Sequence, residues 1–374
     1  MRKTFNKTLI GSLKSIGGHN TDYLLEVDPH NSSQIFSRQI LNKYRSEENS
    51  SLFVSNGWKR QIKYLELSVF VDNKAYENLL SHDLIKSEDK FHELILSYIS
   101  QIQAIYSHKS FAPKFVINLV KIEIQKENIF SETDGNRDKL LKKFCKYQEL
   151  LNTESDSDPK HWDMALLLTG YDLYVIRDHE IKDYNSLGLA SVSGICTLDR
   201  NCVISEFSPS LDISAPIWPS SGLMSTWAAA HEMAHNLGIL HDGWPFNIEC
   251  PPNGFIMSSS RGTRGETNWS KCSAVNFQQT STECLDDKPE NVSEVYNYNK
   301  YDLRPGTVWD ADKQCQLFLR DNKAYQFPKT DARICNETIH CSTPKRTGSY
   351  SSGPALEGTN CGDNSWCVDG NFNL

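Results

Sequence analysis

The segment HEMAHNLGILHD, from His231 to Asp242, constrains this chain more than any other. An α-helix turns about 100° per residue, so His231 and His235 lie roughly 40° apart on one helix face, and their imidazoles can reach a single ion. Gly238 can adopt a positive φ and reverse the chain, which lets His241 close the same site. The preceding run, SGLMSTWAAA, is rich in helix formers and supplies the helix that this geometry needs.

The chemistry of these residues is that of a catalytic metal site. Three neutral imidazoles leave one tetrahedral position open on a zinc ion, unlike the closed ligand set of a structural site. Water in such a position has its pKa lowered from 15.7 toward about 7. Glu232, beside the first histidine, is the candidate general base that takes its proton. Five specified residues at this spacing match by chance only about once per few million positions, so coincidence is the weaker explanation.

Length and charge narrow the classes of protein further. The 374 residues suffice for one large domain and one or two smaller ones. A net charge of −8 argues against a general nucleic-acid binder. No apolar run approaches the ~20 residues that cross a bilayer, so we expect no membrane span.

The cysteines indicate an oxidising compartment, because the chain has 11 of them and none precedes Cys145. Acceptor triplets for N-glycosylation also fit secretion, although such triplets arise by chance as well. They begin at Asn6, Asn31, Asn49, Asn268, Asn291 and Asn336. The basic opening lacks the apolar stretch of a signal peptide, so either the true start lies upstream of Met1 or the protein is not secreted. The cysteines favour the first alternative.

Strands and helices alternate after a polar, cysteine-free opening segment that ends in Lys59-Arg60. That basic pair suits a processing site behind a pro-segment, and an ordinary exposed pair explains it equally well. The pattern predicts strands at Lys63–Asp72, Lys114–Ile124 and Met164–Gly170. It predicts one long helix from about Lys74 to Ser107 and another at Leu140–Leu151. Such alternation indicates an α/β layered domain, whereas the residues after about Asp287 have only short apolar runs and need disulfide staples.

The motif resembles that of the metzincin metalloproteases, in which a methionine turn lies beneath the metal. GFIMSSS supplies Met257 for this turn, and Asp242 after the third histidine is similar to the adamalysin (reprolysin) branch. The segments KYLELSVFVD, FCKYQ, HWDMALLLT, LGLASVSGIC, WSKCS and ECLDD follow the order of an ADAM-TS type catalytic domain. PGTVWDADKQCQLF and CGDNSWCVDG look like its disintegrin-like domain.

The resemblance implies an α/β (α+β) zincin with two lobes, a mixed twisted sheet, long helices and an active-site helix at the cleft floor. A small, disulfide-stapled C-terminal domain follows. The implied division is a pro-segment remnant at 1–60, a catalytic domain at 61–288, a linker at 289–301 and a truncated disintegrin-like domain at 302–374.

The resemblance also implies a structural calcium site. Its ligand positions match Glu66, Asp156, Asp163, the carbonyl of Cys284 and the carboxylate of Asp287. Calcium takes six to eight hard oxygens and tolerates carboxylate and carbonyl donors together. Acidic residues in such a loop are, without this resemblance, more often simply solvated.

The family's connectivity implies five disulfides here. They are Cys145–Cys202, Cys196–Cys284, Cys250–Cys272, Cys315–Cys341 and Cys335–Cys367. The family's fourth catalytic pair is absent, because the segment Asp172–Gly188 contains no cysteine. Cys361 lacks its expected partner near residues 371–373, which leaves either a free thiol or a chain that ends early. The sequence shows no thrombospondin repeat. It has no Arg-Gly-Asp triplet in the tail, so integrin binding is unsupported. Residues 1–60 contain no cysteine, so a cysteine switch is not expected.

We therefore expect a secreted, monomeric zinc metalloendopeptidase that cleaves internal bonds of extracellular or matrix proteins in a gelatinase-like manner. Extended substrates would pair with an edge strand near Leu187–Gly194. The short architecture also suits a venom or saliva toxin. The alternatives are a non-catalytic disintegrin-like binding protein and a zinc exopeptidase.

Overall fold

The computed structural model describes residues 62–81, 84–111, 113–207, 222–259, 266–289, 298 and 304–373. The predicted pro-segment at 1–60 and nearly all of the predicted linker lie outside these ranges. Asn6, Asn31, Asn49 and Asn291 lie outside them as well. Among the helices of the described residues, none has both the length and the apolar character that crossing a bilayer requires.

A five-stranded mixed sheet forms the centre of the larger unit. Its strands, in the order β2-β1-β3-β7-β6, are joined in parallel except for the antiparallel pair β6–β7. They span Ile62–Val71 (β1), Lys114–Ile124 (β2), Met164–Thr169 (β3), Gly188–Ala190 (β6) and Cys202–Glu206 (β7). A separate hairpin of Val175–Ile176 (β4) and Lys182–Asp183 (β5) precedes β6. The short strand β6 therefore forms one edge of the sheet.

Helices cover both faces of this sheet. The helices of the larger unit are Asn73–Leu80 (α1), Glu88–Ser107 (α2), Arg137–Glu149 (α3), Thr226–Asn236 (α4) and Lys271–Gln279 (α5). Alternate residues of β3 point to opposite faces: Leu166 belongs to the core shared with α2 and α4, and Leu167 to the core shared with α3. Burial of β3 on both faces explains its continuous apolar sequence, MALLLT. The expected α/β zincin architecture is thus confirmed.

The prediction of one helix from Lys74 to Ser107 is wrong, because the structure has two helices there. The side chain of Asp72 accepts a hydrogen bond from the backbone N–H of Ala75 and caps α1. Ser87 is extended and accepts from the N–H of Lys90, so a second N-cap begins α2. Helical spacing of apolar residues continues across the break, and this continuity hid the cap in the sequence.

The five disulfides of the structure join the pairs that the family resemblance implies. Cys361 is the free cysteine of the described residues, and it is buried. Its sulfur lies within 4.8 Å of the sulfurs of Cys335 and Cys367. The thiol is therefore enclosed beside an existing disulfide and is not presented to solvent.

The smaller C-terminal unit contains two helices and two three-stranded sheets. The helices are Pro305–Val308 (α6) and Ala311–Leu319 (α7). The strands are Tyr325–Gln326 (β8), His340–Thr343 (β9), Arg346–Ser351 (β10), Asn360–Gly362 (β11), Ser365–Val368 (β12) and Asn371–Asn373 (β13). Trp309, Phe318 and Leu356 of this unit belong to the same apolar cluster as α2 and α4, so the two units share one core.

Candidate active site

Helix α4 carries His231, Glu232 and His235, all of them buried. The hydroxyl of Tyr106 on α2 donates a hydrogen bond of 2.8 Å to the carbonyl of Ala230, one residue before the first histidine. At the other end, Asn236 donates from Nδ2 to the carbonyls of Ser191 and Arg200, at 2.8 and 2.9 Å. The helix is therefore fixed on both sides of the histidines.

Gly238 reverses the chain immediately after α4. Its φ is +86°, and its N–H donates to the carbonyl of His235. A Cβ at this position would lie 1.8 Å from Oγ1 of Thr280. Glycine is thus required both by the backbone conformation and by the available space. The reversal brings His241 back to the two helix histidines, as the sequence predicts.

The three histidines converge through their Nε2 atoms. Nε2 of His241 lies 3.0 Å from that of His231 and 3.1 Å from that of His235. Nδ1 of His231 donates to the carbonyl of Ile256 at 2.7 Å, and Nδ1 of His235 to that of Ile239 at 2.8 Å. Because a carbonyl only accepts, these Nδ1 atoms carry the ring protons, and the two Nε2 atoms turn lone pairs toward the third ring.

This arrangement fits zinc. Lone pairs that converge at such short separations repel one another unless a cation lies between them. Tetrahedral Zn–N bonds of about 2.0–2.1 Å place ligand nitrogens roughly 3.3 Å apart, a few tenths of an ångström wider than the spacing found here. The Nδ1–H bonds to carbonyls also orient the rings in the manner typical of metal-bound histidines.

The segment around Met257 supports the site from beneath. The carbonyl of Ile256 accepts from His231, and the carbonyl of Met257 accepts from the backbone N–H of Asp242 at 2.9 Å. Met257 itself is fully buried. One short turn thus holds the first histidine and the residue after the third, which is where the sequence puts a methionine turn.

Asp242 anchors the third histidine to the segment that precedes α5. Its Oδ1 accepts a hydrogen bond of 2.5 Å from the hydroxyl of Ser270. Burial raises the pKa of this carboxyl to about 6, and the bond from Ser270 opposes the rise. Asn247 adds a bond from Nδ2 to the carbonyl of His241 at 3.1 Å. Sequence reasoning used Asp242 as a family marker and missed Ser270 and Asn247, which carry no spacing signal.

The acidic residues predicted to hold calcium come together near the middle of β1, at Glu66. Burial, together with the charges of Asp287 and Asp156, raises the pKa of Glu66 to about 7. Burial also raises the pKa of Asp163, and the charge of Glu66 adds to that effect. Cys284 lies in the 3₁₀ turn Glu283–Leu285, two residues before Asp286, which pairs with Lys63 of β1.

One neighbour of this acidic cluster escaped sequence reasoning. Nε2 of His161 lies 3.4 Å from Oδ1 of Asp156 and 3.8 Å from Oδ1 of Asp163. Its Nδ1 faces the carbonyl of Thr153 at 2.7 Å. The position of His161 two residues before Asp163 was the available signal.

The two acceptor asparagines within the described residues, Asn268 and Asn336, are both exposed.

Comparison with known proteins gives this geometry a family. Residues 63–289 match the model described as Reprolysin (M12B) family zinc metalloprotease. Residues 305–371 match the model described as ADAMTS cysteine-rich domain 2, and the disintegrin-like description of the tail stays a prediction.

Several curated relatives are similar over most of this chain. A disintegrin and metalloproteinase with thrombospondin motifs adt-1, from Caenorhabditis elegans, is 29% identical over an alignment of 323 residues that covers 82% of this chain and 20% of that protein. A disintegrin and metalloproteinase with thrombospondin motifs 7, from Rattus norvegicus, is 29% identical over an alignment of 320 residues that covers 82% of this chain and 18% of that protein. A disintegrin and metalloproteinase with thrombospondin motifs 1, from Rattus norvegicus, is 30% identical over an alignment of 327 residues that covers 80% of this chain and 30% of that protein.

The chain spans about a fifth of the length of the first two relatives. The family match nevertheless covers the site, since residues 63–289 include the whole of α4, the reversal at Gly238 and the turn at Met257. A match over more than half of the chain, together with the convergent histidine triad, shows that this chain belongs to the reprolysin (M12B) family of zinc metalloproteases.

Proposed function

We propose that this protein is a secreted zinc-dependent endopeptidase that hydrolyses internal peptide bonds of extracellular or matrix proteins. The observation that carries this proposal is the convergence of three Nε2 atoms beside Glu232, at the edge of a sheet. When bound by His231, His235 and His241, zinc supplies an acidified water and polarises the carbonyl to be attacked.

The residues of the chain perform the remaining work. Glu232 accepts a proton from the attacking water and passes it to the departing amine. Strand β6 leaves one side of its backbone unpaired by the described strands, and an extended peptide can add there as a further strand. Such pairing holds the substrate main chain without reference to its sequence, which suits a protease that cuts within folded or fibrous proteins.

The disulfides support the proposal that the protein is secreted. Five disulfides in one chain are typical of proteins that fold in an oxidising compartment. A venom or saliva role remains compatible with the same features. A non-catalytic binding function is the second candidate, and its support is the C-terminal unit, which has two disulfides of its own.

The acidic cluster supports calcium as a second, structural ion. Oδ1 of the buried Asp163 accepts no hydrogen bond from the described residues, while Oδ2 accepts from the N–H of Glu66 at 2.8 Å. A buried carboxylate oxygen without such a bond is costly unless a cation is nearby.

Calcium should therefore raise the melting temperature of the chelator-treated protein. Asp156→Asn should abolish the rise and Asp178→Asn should not; an unchanged response in Asp156→Asn would contradict the assignment.

Glu232→Gln tests the catalytic proposal. The amide keeps the size of the side chain but cannot accept the proton, so we expect gelatin and casein cleavage to fall at least about 100-fold. Glu149→Gln, at an exposed position at the end of α3, is the matched control and should keep full activity. A zinc chelator should abolish cleavage. Persistent cleavage by the Glu232→Gln variant, or by the wild type with chelator, would refute the mechanism. A second assay compares peptides with blocked and with free ends: equal rates indicate an endopeptidase rather than an exopeptidase.

A further inference from the structure

Gly188, the first residue of β6, lies directly against the side chain of Glu232. A Cβ at this position would fall 2.5 Å from Cγ and 3.1 Å from Cδ of the glutamate. It would also fall 2.6 Å from the backbone oxygen of Ile204 on β7. Separations below about 3 Å are repulsive, because carbon atoms that touch without strain stay at least about 3.5 Å apart. The space above the glutamate therefore exists only because residue 188 has no side chain.

Backbone conformation does not explain this glycine. Gly188 is absent from the residues of positive φ, and it pairs with Ser205 in a regular antiparallel ladder. Other residue types adopt such a conformation readily. Sequence reasoning treats a glycine inside a strand as a bulge or a close approach, and here the approach is to the proposed general base.

The strand cannot move away to make room. Gly188 and its neighbours pair with β7 on one side, and the N–H of Glu206 donates to the carbonyl of Leu187 at 2.9 Å. The hydroxyl of Ser186 donates to the carbonyl of Gly188 at 3.0 Å. Nη1 of the buried Arg137 donates in turn to that hydroxyl at 2.9 Å. A chain of hydrogen bonds thus fixes the height of β6 above α4.

The helix below cannot yield either, because His231 and His235 on the same helix hold the zinc site. If residue 188 acquires a Cβ, the side chain of Glu232 must then rotate, and the carbonyl of Ile204 must shift as well. We propose that Gly188 is a positioning residue, whose missing side chain keeps the carboxylate of Glu232 in place between the edge strand and the histidines. This inference rests on the proposed function only where it concerns catalysis; the contact itself is independent of it.

Gly188→Ala tests the catalytic consequence. We expect kcat to fall about 100-fold, as for a reacting group displaced by about 1 Å, while KM stays within about threefold. Bound zinc, measured by atomic absorption, should stay at one ion per chain, because no histidine moves. Gly362→Ala is the matched control, since a Cβ there meets only the Cβ of Ser365 at 4.0 Å. A Gly188→Ala enzyme with unchanged kcat would overturn the proposal.

A stability cycle tests the contact without any assay of cleavage. Gly188→Ala should lower the melting temperature by about 5 °C, the scale of an overpacked core position. In a Glu232→Ala background the overlap with the glutamate is gone and only the one with the oxygen of Ile204 is left, so the loss should be clearly smaller. If Gly188→Ala alone fails to fold, folding of the double variant supports the contact. Equal losses in both backgrounds, or failure of both variants to fold, would overturn it. If the wild-type protein cleaves no substrate, the proposed function is refuted. The stability cycle would still test the contact between Gly188 and Glu232, because it does not depend on cleavage.

Discussion

Single atoms decide how the histidine site works. The ring protons of His231 and His235 are held on Nδ1 by two carbonyls, and this choice of tautomer turns both Nε2 atoms toward His241. Neither carbonyl belongs to a residue that the motif specifies. The motif thus predicts the ligands, while the orientation of the ligands comes from Ile256 and Ile239, whose side-chain identity is immaterial to the bond.

Gly238→Ala should damage the site more than an ordinary glycine replacement. The left-handed conformation costs an L-residue roughly 1–2 kcal/mol, and the methyl would overlap Thr280 as well. We expect a loss of about 3 kcal/mol in the free energy of unfolding, together with weaker zinc retention during dialysis.

Gly348→Ala separates the two causes of that loss. Gly348 has a φ of +95° and open space where a Cβ would lie, so its replacement adds backbone strain without overlap. Its cost should stay near 1–2 kcal/mol, and zinc retention should not change. Equal losses in the two variants, measured by urea denaturation, would show that the contact with Thr280 is unimportant.

At the scale of elements, the described residues between α4 and α5, 237–259 and 266–270, form no helix or strand and are held by cross-links. The disulfide Cys250–Cys272 joins it to the first turn of α5, across 22 residues. Asp242 is tied to the same region through Ser270. The third histidine therefore depends on a segment that is held by one disulfide, a few buried polar contacts and the burial of Ile256 and Met257.

Replacing Cys250 and Cys272 together by serine should therefore affect both stability and metal. Releasing a loop of this size costs about 3 kcal/mol in the chain-entropy description. The pair Cys315–Cys341, which encloses 26 residues of the C-terminal unit, provides the control. We expect similar destabilisation from both double variants, but faster zinc loss only from the first. Equal zinc loss would contradict a special role for the segment.

The elements also show what a sequence can and cannot reveal. Strand β2 has the predicted bounds, because its alternation and its flanking residues are local signals. The break before α2 was missed, since one serine cap competes with an apolar pattern that continues through it. Contacts between distant residues, such as Gly188 with Glu232 or Arg137 with Ser186, have no local signal. The acidic cluster was foreseen only through family resemblance.

Over the whole molecule, the C-terminal unit is docked on helix α2 through polar contacts as well as apolar ones. Nε1 of Trp309 donates to the hydroxyl of Ser97 at 3.1 Å. The backbone N–H of Glu357 donates to Oε1 of Gln101 at 2.8 Å. His108, at the end of α2, reaches the carbonyl of Asp369 at 3.2 Å. Docking thus involves the start, middle and end of the C-terminal unit.

Stability should depend on pH through Glu357. Burial raises the pKa of this carboxyl to about 7, and the neighbouring charge of Asp369 adds to the rise. The native protein then retains a proton that the unfolded chain releases near pH 4.5, so stability falls as the pH rises from about 4.5 to 7. Glu357→Gln should flatten this part of a melting-temperature profile by a few degrees. Glu337→Gln, at a half-buried position of the same unit, is the control and should change the profile less than Glu357→Gln does. A slope in Glu357→Gln identical to that of the wild type would contradict the assignment.

The tail helix α7 lies close to the turn that precedes the active-site helix. Cβ of Leu317 on α7 lies 3.4 Å from the position of a Cβ at Gly222, in the turn Gly222–Ser225 that leads into α4. Trp309 and Phe318 belong to the same core as Trp227 and Met233 of α4. If proteolysis between the two units removed the C-terminal unit, it would expose this shared core and remove apolar contacts that support α4. Such cleavage should therefore inactivate the protein instead of releasing a smaller active enzyme.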